Sequence, residues 1–144
     1  MKATFYGVRG SIATPGIETV RYGGNTSCLH VELDDGSQLV IDAGTGIRKL
    51  GDRLADSDEP LTLLFSHHHW DHIQGLPFFG PAYDSKRTIT LSAIGRERDG
   101  KDLRTIFEAQ MQEEYFPVKL DGMGANIKFM HVTDDNYDVQ NASV

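Results

Sequence analysis

Hydrophobic and polar positions alternate along the first third of the chain in the way that β-strands require. Residues 2–8 show this pattern and precede a Gly-, Thr- and Pro-rich loop. Residues 26–33 and 38–42 show it again, with an Asp-Asp-Gly turn at 34–36 between them. The last two segments predict a β-hairpin that follows a first strand.

The pattern changes to helical spacing at residues 47–55, where Ile47, Leu50 and Leu54 share one face. This spacing predicts an amphipathic helix packed on the sheet. The next apolar run, residues 61–65, has no polar alternation and predicts a buried strand that ends before Ser66.

The remaining segments predict further strands at 88–94 and 126–132, a helix over 101–112, and a short helix over 73–76 that Pro77 ends. Another strand is predicted from Tyr137. Strands in a mixed sheet that helices cover make an α/β sandwich, which we expect to form a single domain over residues 1–144.

A cluster of side chains that could bind a metal or catalyse a reaction follows the buried strand directly, as His67-His68-His69-Trp70-Asp71-His72. Imidazole and carboxylate groups are costly to bury unless they are paired or bind a metal, and they are ligands that Zn²⁺, Mn²⁺ and iron accept. A solvated His-rich loop without ligand function is the alternative interpretation. His67 and His69 are two apart at a strand end and are expected to bind one metal, with Asp71 and His72 serving a second. His68 and Trp70 are expected to face away.

Asp42 ends the preceding strand in a similar position, ahead of Ala43-Gly44-Thr45-Gly46. Its carboxylate is well placed to accept an N–H from a ligating imidazole and so to orient that ring. The alternative is an N-terminal cap for the helix over 47–55. Arg9, at the border of the loop over residues 11–25, and Arg21, within that loop, are candidate anion contacts. An equally good interpretation is that both are solvated surface arginines.

Composition narrows the function further. A formal charge of −7 argues against an extended nucleic-acid-binding surface, but not against a small anionic substrate beside a metal. The single cysteine, Cys28, excludes an intramolecular disulfide and favours a reducing compartment. With no signal-peptide pattern and no membrane-spanning run, we expect a cytoplasmic protein without a membrane partner.

The His67-x-His69-x-Asp71-His72 motif after a hydrophobic strand resembles the signature of the metallo-β-lactamase superfamily. Three upstream segments are similar to the branch that contains ribonuclease Z and the phosphoribosyl cyclic phosphodiesterases: Phe5-Tyr6-Gly7-Val8-Arg9-Gly10-Ser11, Arg21-Tyr22-Gly23-Gly24-Asn25-Thr26-Ser27-Cys28 and Ile41-Asp42-Ala43-Gly44-Thr45-Gly46. The resemblance implies an αββα-sandwich, and a role for Asp42 in supporting the metal ligands.

The resemblance implies a metal-dependent hydrolase of small cyclic or nucleotide-type phosphodiesters, with two divalent ions, zinc foremost and manganese or iron as alternatives. His67, His69, Asp71 and His72 are the expected ligands, and Asp71 is the expected catalytic group that orients or deprotonates the attacking water. A thioester hydrolase or an iron dioxygenase of the same fold is the alternative activity. A flavo-di-iron site would carry Glu at the position of His69, which disfavours redox chemistry.

The length of this chain limits the activity that we expect, because members of the metallo-β-lactamase superfamily are generally much longer. Their later ligands have no clear counterpart here: His131, the one His after residue 72, falls in a predicted strand. The chain is therefore expected to hold the first half of the fold and to be weakly active or inactive alone. An incomplete sandwich would expose an apolar sheet face, which predicts a homo-oligomer, a missing C-terminal half or a non-catalytic assembly module.

Overall fold

A computed structural model describes residues 1–93 and 102–130, together with the backbone of two short paired strands near the C-terminus. Several sequence predictions lie outside the described residues. They are the strand ends at Ile94 and Val132, the helix start at Lys101, the strand start at Tyr137, and His131.

A six-stranded mixed sheet forms the centre of the molecule, with its strands in the same order as in the sequence. The first three strands pair antiparallel, and the last four pair parallel. The strands are β1 (Lys2–Gly7), β2 (Cys28–Glu32), β3 (Gln38–Ile41), β4 (Leu61–Phe65), β5 (Thr88–Ala93) and β6 (Asn126–Met130), followed by the separate pair β7 (Asp138–Val139) and β8 (Ala142–Ser143). The mixed α/β architecture expected from the sequence is confirmed.

Helices and 3₁₀ turns connect the strands of the sheet. The α-helices are α1 (Ile47–Arg53), α2 (Trp70–Ile73) and α3 (Leu103–Gln110), and the 3₁₀ turns span Ile17–Thr19, Leu76–Phe78, Gly80–Tyr83 and Leu120–Gly122. In the described part of the chain, none of these helices has the length and apolar character needed to cross a membrane.

The prediction for residues 73–77 was wrong in its bounds. The helix begins earlier, at Trp70, and therefore contains Asp71 and His72. Pro77 does not end it but lies inside the next 3₁₀ turn, near its start. Proline is tolerated in the first turn of a helix because the N–H it lacks would have no partner there.

The main core fills the space between one sheet face and the helices. Leu63 and Phe65 from β4 pack in one cluster with Leu50 from α1 and Phe107 from α3. The opposite face carries a smaller cluster, with Leu39 and Leu64 at its centre and Val31, Leu33 and Met130 against it. All five residues of β4 are buried, as the run of apolar residues around Thr62 predicts for a strand covered on both faces.

Candidate metal centre

The candidate site lies where the parallel strands β3 and β4 end at the same edge of the sheet. Ile41 pairs with Leu64, and the N–H of Asp42 donates to the carbonyl of Leu64 at 2.9 Å. Asp42 therefore enters the site from one strand, and the His-rich segment enters it from the next. Ligand sites in open α/β sheets are found at this carboxyl edge.

The three predicted imidazole ligands lie against one another. The ring centroid of His67 is 4.5 Å from that of His69 and 4.0 Å from that of His72. Asp71 joins them, because its Oδ2 lies 3.3 Å from Nε2 of His72. All four residues that the sequence predicts as ligands are thus brought together.

Asp42 supports this cluster through one buried carboxylate. Its Oδ2 lies 2.7 Å from Nδ1 of His72 and accepts from Oγ of Ser27 at 3.0 Å. Its Oδ1 accepts from both N and Oγ of Ser66 at 2.9 Å. The contact with an imidazole is the one that the sequence predicts. The alternative of a helix cap is wrong: the N-cap position of α1 is Gly46, and no side chain caps that helix.

Asp42 also has a left-handed backbone conformation, with φ of 63°. Aspartate tolerates this region better than most residues because its short polar side chain bonds locally. The conformation takes the chain sharply out of β3 and leaves the Asp42 carboxylate facing the start of the His-rich segment.

Asp71 is buried, and its carboxylate accepts a hydrogen bond from the backbone N–H of Ser11 at 2.7 Å. Burial raises the pKa of Asp71. The N–H donors and the neighbouring imidazoles of His72 and His67 outweigh burial, so this pKa lies below its ordinary value. Asp71 is therefore a carboxylate at neutral pH.

The pKa of the His67 imidazole lies below its ordinary value. Burial lowers its pKa, and the adjacent rings of His72 and His69 lower it further. A neutral imidazole keeps a lone pair for a metal ion. Trp70, which is expected to face away from the ligands, is 65% exposed.

Close backbone packing holds α2 against the turn that follows β3. The N–H of Ala43 donates to the carbonyl of His72 at 2.7 Å, and the N–H of Gly75 donates back to the carbonyl of Ala43 at 2.8 Å. A Cβ on Gly44 would lie 2.3 Å from the carbonyl oxygen of Asp71. Gly44 must therefore lack a side chain so that the helix that carries Asp71 and His72 can approach the turn after β3.

Three serines that contact the site were not predicted as site residues. Ser66 is the residue directly before His67, and its Oγ lies 3.1 Å from Nδ1 of that ring. Ser27 and Ser11 contact the two carboxylates from positions distant in sequence. The position of Ser66 next to the His-rich segment could have indicated its contact with the site. The contacts of Ser27 and Ser11 could not be predicted in this way, because they depend on tertiary packing.

The donor set fits a divalent cation in its chemistry. With Nδ1 of His72 donating to Asp42, Nε2 is the ring nitrogen that remains for a cation, and it lies 3.3 Å from Oδ2 of Asp71. A cation close to both atoms would be stabilised by the Asp71 carboxylate. As they stand, no three His, Cys, Asp or Glu side chains among the described residues are arranged as a complete metal-holding group.

A surface cavity of about 330 Å³ lies beside residues 8–10, directly before Ser11, whose N–H contacts Asp71. Arg9, Gly10, Thr19 and Tyr22 line it, together with one acidic residue, Glu18. Arg9 is exposed and forms no ion pair with another described residue. The guanidinium of the second candidate, Arg21, lies 5.0 Å from the centroid of the Tyr22 ring.

Comparison with known proteins agrees with this geometry. A family model described as the metallo-beta-lactamase superfamily matches residues 21–107, more than half of the chain. The matched segment contains Asp42 and the whole His67–His72 run. No curated protein matches this chain. The chain belongs to the metallo-beta-lactamase superfamily.

Proposed function

We propose that this protein is a metal-dependent phosphodiesterase acting on small cyclic or nucleotide-type phosphodiesters. Membership of the superfamily supports a metal-dependent hydrolase function in general. The observation that carries the proposal is the contact of three imidazoles and a carboxylate at one sheet edge, with Asp42 orienting His72.

In this proposal His67, His69, Asp71 and His72 hold two divalent ions, zinc in the first instance. When bound, such ions supply Lewis-acid stabilisation of a phosphoryl oxygen and lower the pKa of water. Asp71 orients the attacking water and accepts its proton, a role for which its carboxylate is already ionised. Asp42 keeps His72 in one tautomer and one orientation.

A small anionic substrate is supported by the cavity that contains Arg9. A guanidinium without an ion-pair partner among the described residues is a suitable donor to a phosphodiester oxygen. The net charge of −7 disfavours a long nucleic acid, whose backbone needs clustered cations. We therefore place the substrate contact at Arg9 rather than over a wide surface.

Hydrolysis of bis(p-nitrophenyl) phosphate by the purified chain with added Zn²⁺ or Mn²⁺ tests the proposal. We expect slow turnover that a chelator abolishes and that His69→Gln reduces to the rate of metal in buffer. His68→Gln is the matched control and should retain the activity. Metal bound without hydrolysis above the buffer rate, both by this chain and by a longer protein that supplies the second half of the fold, would contradict the proposal.

The substrate contact has its own matched pair of variants. Arg9→Ala should raise KM about tenfold or more, because a charge-assisted hydrogen bond to the substrate is lost, with kcat less affected. Arg21→Ala should leave KM within about twofold, since its guanidinium lies over Tyr22. Turnover of a glutathione thioester but not of the phosphodiester would favour the alternative thioester hydrolase.

A further inference from the structure

The loop of residues 8–25 makes a direct contact with the candidate ligand Asp71. The backbone N–H of Ser11 donates to Oδ2 of Asp71 at 2.7 Å, across 60 positions of sequence. The same oxygen lies 3.3 Å from Nε2 of His72. One main-chain donor therefore bonds the carboxylate oxygen that faces the imidazole.

The backbone of Ser11 has an uncommon conformation at this contact. Its φ is 68°, and among the described residues the only other non-glycine with positive φ is Asp42, also in the site. For a residue with a Cβ this region is unfavourable and needs support from its surroundings.

The loop supplies that support through its own hydrogen bonds. The N–H groups of Val8 and Arg9 both donate to the carbonyl of Asn25, and the N–H of Ile12 donates to the carbonyl of Gly10 at 2.9 Å. The N–H of Thr14 also donates to the carbonyl of Gly24 at 2.8 Å, so the loop is held on both sides of Ser11. The direction of the Ser11 N–H is therefore fixed by the backbone rather than by a flexible side chain.

We infer that Ser11 is a positioning residue of the metal centre, acting through its main-chain N–H to hold the Asp71 carboxylate beside Nε2 of His72. This inference rests on the ligand role proposed for Asp71. A carboxylate held by an oriented N–H loses less rotational freedom when it binds a cation.

Replacement of the Gly10–Ser11 amide by an ester removes this N–H and leaves the side chain in place. Cys28 is the single cysteine of the chain, so a synthetic segment 1–27 carrying the α-hydroxy analogue of serine can be ligated to residues 28–144 and refolded. The matched control carries an ester at Gly23, whose N–H donates to the carbonyl of Thr19 at 2.7 Å and takes no part in the turn at Ser11. Ser11→Gly, which keeps the N–H and tolerates positive φ, tests whether the hydroxyl matters.

Two readouts are measured for each protein: the χ1 rotamer of Asp71 by NMR scalar couplings in the metal-free chain, and Zn²⁺ affinity by competition with a chromogenic chelator. We expect a single rotamer in the unmodified chain, the Gly23 ester and Ser11→Gly, and averaged rotamers in the Ser11 ester. Zn²⁺ affinity should fall about 10- to 100-fold in the Ser11 ester alone.

Equal Zn²⁺ affinity in the two esters, averaged Asp71 rotamers in the unmodified chain, or an equal loss in Ser11→Gly would overturn the inference. If the unmodified chain binds no Zn²⁺, the proposed metal-dependent function fails, and the Asp71 rotamer alone decides whether Ser11 positions the carboxylate.

Discussion

The carboxylate of Asp42 links both strand ends of the candidate site. It accepts from Ser27 on one side and Ser66 on the other, and it also contacts His72. Its place at the end of a predicted strand made the contact with an imidazole predictable. Its positive φ and its serine partners were not predictable, because they depend on how separate segments pack.

Asp42→Asn is expected to weaken the metal centre and the fold together. The substitution preserves shape and tolerates positive φ, but it places an amide donor among groups that all donate to the carboxylate. We expect Zn²⁺ affinity to fall about 10- to 100-fold and the free energy of unfolding to fall by about 1–3 kcal/mol. Competition titration and urea unfolding measure the two effects.

Asp52→Asn is the matched control, because Asp52 is exposed and forms only a surface ion pair with Arg48 at 3.7 Å. Such pairs contribute about 0–1 kcal/mol, so the control should differ little from the unmodified chain. Equal effects of the two substitutions on Zn²⁺ affinity would contradict a role for Asp42 in the metal site.

At the scale of elements, the hairpin, the buried strand and α1 were predictable because each has a long, regular apolar pattern. The start of α2 was not, because a four-residue helix shows no periodicity and two of its four residues, Asp71 and His72, had been interpreted as candidate metal ligands. The approach of α2 to the turn after β3 depends on Gly44, where a Cβ would also lie 2.4 Å from Oγ1 of Thr26.

Gly44→Ala is therefore expected to displace α2 from the strand ends. Overpacking of this kind costs about 1–3 kcal/mol, and the shift of Asp71 and His72 should lower Zn²⁺ affinity at the same time. Gly80→Ala provides the comparison, since a Cβ there meets nothing within 4 Å. Thermal unfolding and Zn²⁺ titration of both variants check the expectation, and indistinguishable results would contradict it.

The N-terminus of α3 has a pH-dependent cap. The carboxylate of Asp102 accepts from the N–H of Thr105 at 2.7 Å, and this bond holds the pKa of Asp102 below its ordinary value of 3.8. A lowered folded-state pKa stabilises the fold above the unfolded-state pKa and ceases to do so as pH falls through the folded-state value.

The chain should therefore be more stable than Asp102→Ala at pH 6, and this difference should shrink as pH falls below about 4. Asp102→Asn, an uncharged cap, should show a pH-independent advantage over Asp102→Ala. Urea unfolding between pH 2.5 and pH 6 measures these differences. A difference between the unmodified chain and Asp102→Ala that stays constant over this range would contradict the role of the ionised cap.

At the scale of the whole molecule, the α/β class could be predicted from the order of strands and helices. The sheet edge that carries the site could be predicted from the position of the His-rich run.

The sheet face opposite the main core carries a cross-strand apolar row. Phe5, Leu29, Ile41 and Leu64 pair in register across β1 to β4, and Phe5 at the end of the row is 67% exposed.

We expect this row to mediate self-association of the chain, because exposed apolar surface of this kind is commonly buried between subunits. Phe5→Ser should shift sedimentation toward the monomer. Phe78→Ser should not, although Phe78 is also exposed, at 59%, because it lies on a 3₁₀ turn away from this row. A monomer at all concentrations, or an equal effect of both substitutions, would contradict the expectation.

Zinc content after equilibrium dialysis tests the central claim most directly, because every proposed function depends on a cation held by the side chains after β4. The unmodified chain and His68→Gln should each retain zinc, and His67→Gln should retain substantially less. Failure of the unmodified chain to retain zinc, or equal retention by the two variants, would contradict the metal centre.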